Sequence, residues 1–217
     1  MNINWHGQSC FSISSSKGKN ETINIVIDPF DESVGLKVPK LAADLLLVTH
    51  DHKDHNNTKA VSGSPFLIDG PGEYEVKEIF VQGIESYHDN ETGNDKGINT
   101  IYTIEAEDIR ICHLGDLGEK ELTPEQLDLI GDVDILMIPV GGTYTIDAKD
   151  AGKIIAQLEP RITIPMHYAL PKLKTKLDPL DSFLKVVGVK TPETLAKLSI
   201  KKKDLLPEES KVIVLNP

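Results

Sequence analysis

The segment His50-Asp51-His52-Lys53-Asp54-His55 constrains this chain more than any other. It follows a short apolar stretch, Leu45-Leu46-Leu47-Val48-Thr49. A strand feeding a tight loop would deliver His50, His52, Asp54 and His55 to one point. Neutral imidazoles and a carboxylate are borderline ligands that suit zinc, iron or manganese. Three of the chain's seven histidines lie here, more than a solvated loop collects by chance. The fold therefore has to place this strand end where further ligands converge.

The 217 residues suffice for one large domain or two small ones. A hydrophobic content of 39% allows a sizeable core. No apolar run approaches the roughly 20 residues of a membrane span. Met1-Asn2-Ile3-Asn4-Trp5 has neither the basic region nor the apolar core of a targeting peptide. Cys10 and Cys112 sit in apolar, strand-like surroundings and read as two buried thiols, not a disulfide. These features make the cytoplasm the expected location. A net charge of −11 disfavours nonspecific binding to nucleic acid or anionic membranes. Arg110 and Arg161 are the only arginines, against 21 lysines. A substrate phosphate would thus be held by lysine, backbone amides or metal. The expected partner is a small-molecule substrate, with a homo-oligomer left open.

Strands are expected at residues 3–5, 10–14, 23–27, 45–48, 66–68, 75–81, 99–105 and 109–113, with a hairpin turn at Gly18-Lys19-Asn20 and a polar loop over 89–97. Helix signals concentrate later. Thr123-Pro124-Glu125-Gln126 offers a cap, Pro in the first turn and Gln three residues on. Asp147 caps a helix over 148–158 with Ala151, Ile154, Ile155 and Leu158 on one face. Asp178-Pro179-Leu180-Asp181 starts another that Gly188 closes, and Thr191-Pro192-Glu193 starts a short last helix. Strands at 135–139, 162–165 and 212–215 lie between them.

The halves look alike. Asp28 ends a strand, and 16 residues later Asp44 opens Leu-Leu-Leu-Val-Thr-His; Asp116 ends a strand, and 18 residues later Asp134 opens Ile-Leu-Met-Ile-Pro-Val. This suggests an internal duplication. Strands in both halves with helices between them favour the α/β class, as a four-layer αββα sandwich with two mixed sheets between helices. The expectation is one domain over residues 1–217.

A pair of metals needs roughly six protein ligands plus a bridging carboxylate and water. Beyond the first loop, candidates stand at strand ends: His88 after Glu85-Ser86-Tyr87, His113 and Asp116 in Cys112-His113-Leu114-Gly115-Asp116, and His167 in Ile164-Pro165-Met166-His167-Tyr168. Taken in order, these motifs resemble the metallo-β-lactamase superfamily, with its H-x-H-x-D-H, a lone histidine, a Gly-Asp strand end and a late histidine. The closer resemblance is to the branch of ascorbate-6-phosphate lactonase, the N-acyl-phosphatidylethanolamine phospholipase D and related bacterial hydrolases. It is carried by Trp5-His6-Gly7-Gln8-Ser9, Asp28-Pro29, His113-Leu114-Gly115-Asp116 and Pro165-Met166-His167-Tyr168. It covers residues 3 to about 170. Gln8 departs from the branch, which often has histidine there.

The resemblance implies that His50, His52 and His88 hold one ion, that Asp54, His55 and His167 hold the second, and that Asp116 bridges. Asp28 would tie the histidine loop in place from behind. It further implies hydrolysis of an ester, lactone or phosphodiester with two divalent ions, zinc foremost, with manganese and iron as alternatives. His52, where redox di-iron relatives carry glutamate, favours hydrolysis over oxygen chemistry. Asp54 is the expected proton acceptor, and His113 or Tyr168 could donate a hydrogen bond to the developing oxyanion. The rival reading is a non-catalytic metal-binding or sensor module on the same fold. His6 reads equally well as a strand histidine without a role, and Asp134 and Asp147 as structural. Gly141-Gly142-Thr143-Tyr144 stands where a substrate could approach the metals.

Overall fold

The computed structural model describes the chain except residues 19–20, 90–92, 94–95 and 206–209. Lys19 and Asn20 of the expected hairpin turn, and part of the 89–97 loop, thus lie outside the described residues. The strands are β1 (Asn2–Trp5), β2 (Phe11–Lys17), β3 (Glu21–Ile27), β4 (Leu41–Ala42), β5 (Leu45–Leu47), β6 (Val61–Ser62), β7 (Phe66–Ile68) and β8 (Gly72–Val76). They continue as β9 (Ile79–Tyr87), β10 (Ile98–Ala106), β11 (Ile109–His113), β12 (Ile135–Pro139), β13 (Ile162–Met166), β14 (Glu193–Leu195), β15 (Leu198–Ser199) and β16 (Lys211–Leu215). The α-helices are α1 (Pro124–Ile130), α2 (Ala148–Leu158) and α3 (Leu180–Val186).

One sheet has the order β15-β1-β2-β3-β5-β7 and the other β14-β16-β13-β12-β11-β10-β9-β8, beside a small β4-β6 ladder. In the first, β1, β2 and β3 run antiparallel, and β5 and β7 join in parallel. In the second, β9, β10 and β11 run antiparallel, and β12 and β13 join in parallel. The same five-strand arrangement occurs twice, as the paired aspartates suggested. Those aspartates also perform the same local task. Asp44 donates its N–H to Asn24 O and accepts Asn24 N–H on Oδ2. Asp134 donates its N–H to Arg110 O and accepts Arg110 N–H on Oδ2. Each closes the ladder where a parallel strand begins, satisfying backbone groups left open at the end of a strand pair.

β12 and β13 are buried at every residue, as parallel strands covered on both faces require. The inner faces of the two sheets share one apolar cluster, with Trp5, Phe11, Ile25 and Leu47 from one and Tyr102, Ile111, Met137 and Ile164 from the other. Side chains alternate across a strand, so Val26 and Leu46 leave that cluster for the opposite face and meet Val61. There Leu41, Ala43 and Val61, in and beside the small β4-β6 ladder, form the cover. The crossover over 28–44 holds Pro29, Gly35 and Pro39 and cannot run on as a helix. Among the described residues the α-helices all come from the second half.

Two local expectations are corrected. The strand expected over 75–81 is a hairpin of β8 and β9, turned by Lys77 and Glu78 with φ of 54° and 68°. Two positive φ values fit a tight hairpin turn, but no Gly or Asn announces it. Thr191-Pro192-Glu193 starts no helix: Glu193–Leu195 pairs in parallel with β16, and tertiary pairing outweighs the cap-like pattern. Asp178-Pro179-Leu180-Asp181 does start a helix, α3, with Pro179 at the cap position and no side-chain bond there. The capping box at Thr123 and the Asp147 cap form as expected. Cys10 and Cys112 are free and buried. Among the described residues no helix is long and apolar enough to cross a membrane.

Candidate metal centre

The strands that end in candidate ligands, β5, β9, β11 and β13, present His50–His55, His88, Asp116 and His167 just past their C-terminal ends. The structure brings His50, His52, Asp54, His55, His88, Asp116 and His167 close together. They form two groups, His50, His52 and His88 in one and Asp54, His55, Asp116 and His167 in the other, with candidate ligand atoms in each within 4.8 Å of one another. Asp116 Oδ2 spans both, lying 3.4 Å from His88 Nε2, 3.2 Å from His55 Nε2 and 3.3 Å from His167 Nε2.

The local sequence explains this convergence. Asp28, fully buried at the end of β3, accepts Thr49 N–H at 2.8 Å, Thr49 Oγ1–H at 2.7 Å and the His55 Nδ1–H at 2.8 Å. Thr49 Oγ1 in turn lies 3.0 Å from His50 Nδ1. One carboxylate therefore orients the histidine loop and selects the His55 tautomer whose Nε2 lone pair faces the cluster. Asp116 is fixed by Ser9 Oγ–H on Oδ1 at 3.1 Å and by its N–H donated to Asn99 Oδ1 at 3.0 Å. Gly115 precedes it at φ 58°, and a Cβ there would collide with Asn99 Oδ1 and crowd Thr49 at 2.9 Å. The left-handed strain costs about 1–2 kcal/mol and the overpacking about 1–3 kcal/mol. Gly115→Ala is accordingly expected to lower the melting temperature by on the order of 10 °C; a calorimetric melt checks this.

The donor chemistry fits a metal. With Nδ1 of His55 committed to Asp28, its Nε2 and the Asp116 carboxylate are two acceptors facing each other, unless a proton or cation lies between. His50 Nε2 and His55 Nε2 are buried and have no hydrogen-bond partner. Burial, then the neighbouring His55, pushes the His50 imidazole far below its ordinary pKa. Burial likewise lowers His88. Burial opposes the charged form of His55, yet the Asp116 and Asp28 carboxylates outweigh it and hold that imidazole well above the usual range. Burial opposes the charged form of Asp116 too, but His167 and His55 hold its carboxyl well below the usual range. Several buried imidazoliums around one carboxylate would be costly. Divalent cations would satisfy the same lone pairs.

The remaining expected residues fall outside the cluster. His113 is buried with both ring nitrogens engaged: Nε2 is 2.9 Å from Ser9 O, and Nδ1 accepts Gly115 N–H at 3.1 Å. It braces the turns that carry Ser9 and Asp116 and does not line the cavity, so its geometry suits a positioning role rather than an oxyanion donor. Tyr168 packs against Trp5 with ring centroids 5.0 Å apart, also away from the cavity. His6 bonds Ser12 Oγ at 2.8 Å. Gly141 lets the chain pass His167 O, which a Cβ would strike. Gln8, buried at φ 49°, donates from Nε2 to Asp54 Oδ2 at 3.3 Å, and the same nitrogen stands 3.4 Å from His167 Nε2.

A cavity of about 350 Å³ opens onto the cluster, lined by His52, Asp54, Asp116 and His167 together with Lys96, Tyr144 and Thr175. The sequence did not single out Lys96 or Thr175, which sit in irregular segments without motif spacing. Tyr144 closes the Gly-Gly-Thr-Tyr run that marked this region.

The β-lactamase superfamily domain matches residues 2–167 of this chain. The chain belongs to the metallo-β-lactamase superfamily. It is a metal-dependent hydrolase, similar to a UPF0173 metal-dependent hydrolase of Thermoplasma volcanium at 34% identity over 77% of this chain and 83% of that one. A Thermotoga maritima chain, provisionally described as a Zn-dependent hydrolase of the same superfamily, superposes with a TM-score of 0.80 at 37% identity, covering 99% of this chain and 97% of that one. Igni18, a metallo hydrolase of Ignicoccus hospitalis, shares the fold, with a TM-score of 0.64 at 20% identity over 92% and 99% of the two chains.

Proposed function

We propose that this chain hydrolyses an ester, lactone or phosphodiester at a dinuclear centre. His50, His52 and His88 would hold one ion, Asp54, His55 and His167 the other, and Asp116 both. The observation that carries this reading is the reach of Asp116 Oδ2 into both ligand groups. Two divalent ions, zinc foremost and manganese or iron as alternatives, would supply a bound water of near-neutral pKa and polarise the scissile group. Within the protein, Asp28 and Thr49 orient the imidazoles, and Gln8 anchors Asp54 through Oδ2. The Asp54 carboxylate faces the cavity and is the group placed to take the proton from the attacking water. The free, buried thiols suit the reducing cytoplasm.

Elemental analysis of metal-supplemented protein should find two ions per chain; one or none at saturation defeats the dinuclear model. A screen of p-nitrophenyl phosphodiesters, lactones and thioesters should find turnover that a chelator abolishes. Two bound ions without turnover across that screen would favour the sensor reading. His88→Ala should weaken metal binding more than His113→Ala does, since His113 has no free ring nitrogen to offer. The reverse order in a chelator titration would overturn the assignment.

A further inference from the structure

We propose that Lys96 is a substrate-binding cation, and that the substrate carries a second anionic group, a carboxylate or a phosphate, beyond the bond that is cut. This rests on the dinuclear hydrolase reading and gives it a substrate class. Among the described residues Lys96 is the one lysine or arginine lining the cavity over the candidate ligands, whose walls also hold Asp54, Asp116 and the histidines. Among the described residues its ammonium meets no carboxylate. It donates to Tyr144 O at 2.9 Å and lies 5.4 Å from the centre of the Tyr144 ring. An ammonium has three donors, so two remain for a ligand.

The position is built from the backbone outward. Asp89, next to His88, accepts Lys96 N–H on Oδ2 and Gly93 N–H on Oδ1, each at 2.8 Å. His88 N–H donates to Gly97 O at 3.1 Å. The backbone of Lys96 and its neighbour Gly97 is thereby tied to the candidate ligand His88 and to Asp89 beside it. Past Lys96 and Tyr144 a second hollow of about 290 Å³ continues from the first, with Lys120, Thr143 and Thr145 in its wall. Asp89, Asp147 and Asp150 also border it. These carboxylates are engaged: Asp89 in the loop just described, Asp147 in capping α2, and Asp150 with Lys153 at 2.9 Å. In a chain of net charge −11, a cation that among the described residues meets no carboxylate, beside a hydrolytic cavity, is suited to an anionic ligand.

The test measures binding rather than turnover. Methylphosphonate, 3-phosphonopropionate and propane-1,3-bisphosphonate are titrated calorimetrically into the metal-loaded protein. All carry one phosphonate for the metals; the last two add a carboxylate or a second phosphonate. Wild type should bind at least one extended probe roughly 10-fold tighter than methylphosphonate, and the better of the two identifies the group. Lys96→Met, checked for unchanged metal content and melting, should bind all three alike, and Lys96→Arg should recover the preference. Equal affinities in wild type, or a preference that survives in Lys96→Met, would overturn the proposal. If no phosphonate binds the loaded wild type, the hydrolytic centre itself fails, and the substrate assignment falls with it.

Discussion

Asp54→Asn is expected to lower turnover by roughly 10²–10⁴-fold, the range for loss of a positioned general base, while the protein stays folded. The substitution keeps the shape of the side chain and an oxygen for the Gln8 amide, which now bonds Asp54 Oδ2 at 3.3 Å. An amide oxygen cannot take up the proton of a nucleophilic water. Stability should hold, because the core strands β5 and β12 are packed by apolar side chains and do not depend on this half-buried carboxylate. Thermal melts with added metal, elemental analysis and turnover of the best substrate from the screen make the comparison. A variant that keeps both ions and the parent rate would show that Asp54 serves only as a ligand.

Asp28→Asn should weaken metal binding about 10–100-fold, the usual consequence of removing a group that orients ligating histidines. Asp28 sits at φ 47°, a conformation asparagine tolerates as well as aspartate. The backbone is thus undisturbed and the change is confined to the carboxylate. Three donors converge on Asp28: Thr49 N–H, Thr49 Oγ1–H and the His55 ring. An amide group presents one oxygen and turns its NH₂ toward the others. Each charged hydrogen bond lost in a buried place costs about 1.5–3 kcal/mol, so the melting temperature should fall as well. Chelator competition reads the first effect and calorimetry the second. Unchanged metal affinity with a lowered melting temperature would mean that His55 needs no orienting partner.

The parts of this molecule that could be read from sequence are those governed by short-range rules. The histidine loop is legible because a buried strand and the residues after it are contiguous, and the period of the strand dictates where they emerge. Asp44 and Asp134 betray the repeated topology because each opens an apolar run at the same distance from a strand-ending aspartate. What escaped was decided across the fold. β14 exists because β16 offers it an edge, and nothing local to residues 193–195 says so. The Lys77-Glu78 turn adopts two positive φ values without glycine. Lys96 and Thr175 reach the cavity from irregular segments, one between β9 and β10 and one between β13 and α3, that only the packed sheets bring together. His113 looked like a site residue because it precedes Gly115-Asp116. Its ring points at Ser9 instead.

Each of the two ligand groups draws on both sheets: His50 and His52 face His88, and Asp54 and His55 face Asp116 and His167. Neither sheet owns a complete set. A cation held there would act as a rivet across the seam, and its loss would leave each sheet's hydrogen-bond ladder whole while the rim between them came free to part. Order of assembly follows from this. The sheets would have to dock before an ion could find its full coordination, which would place tight metal uptake late in folding.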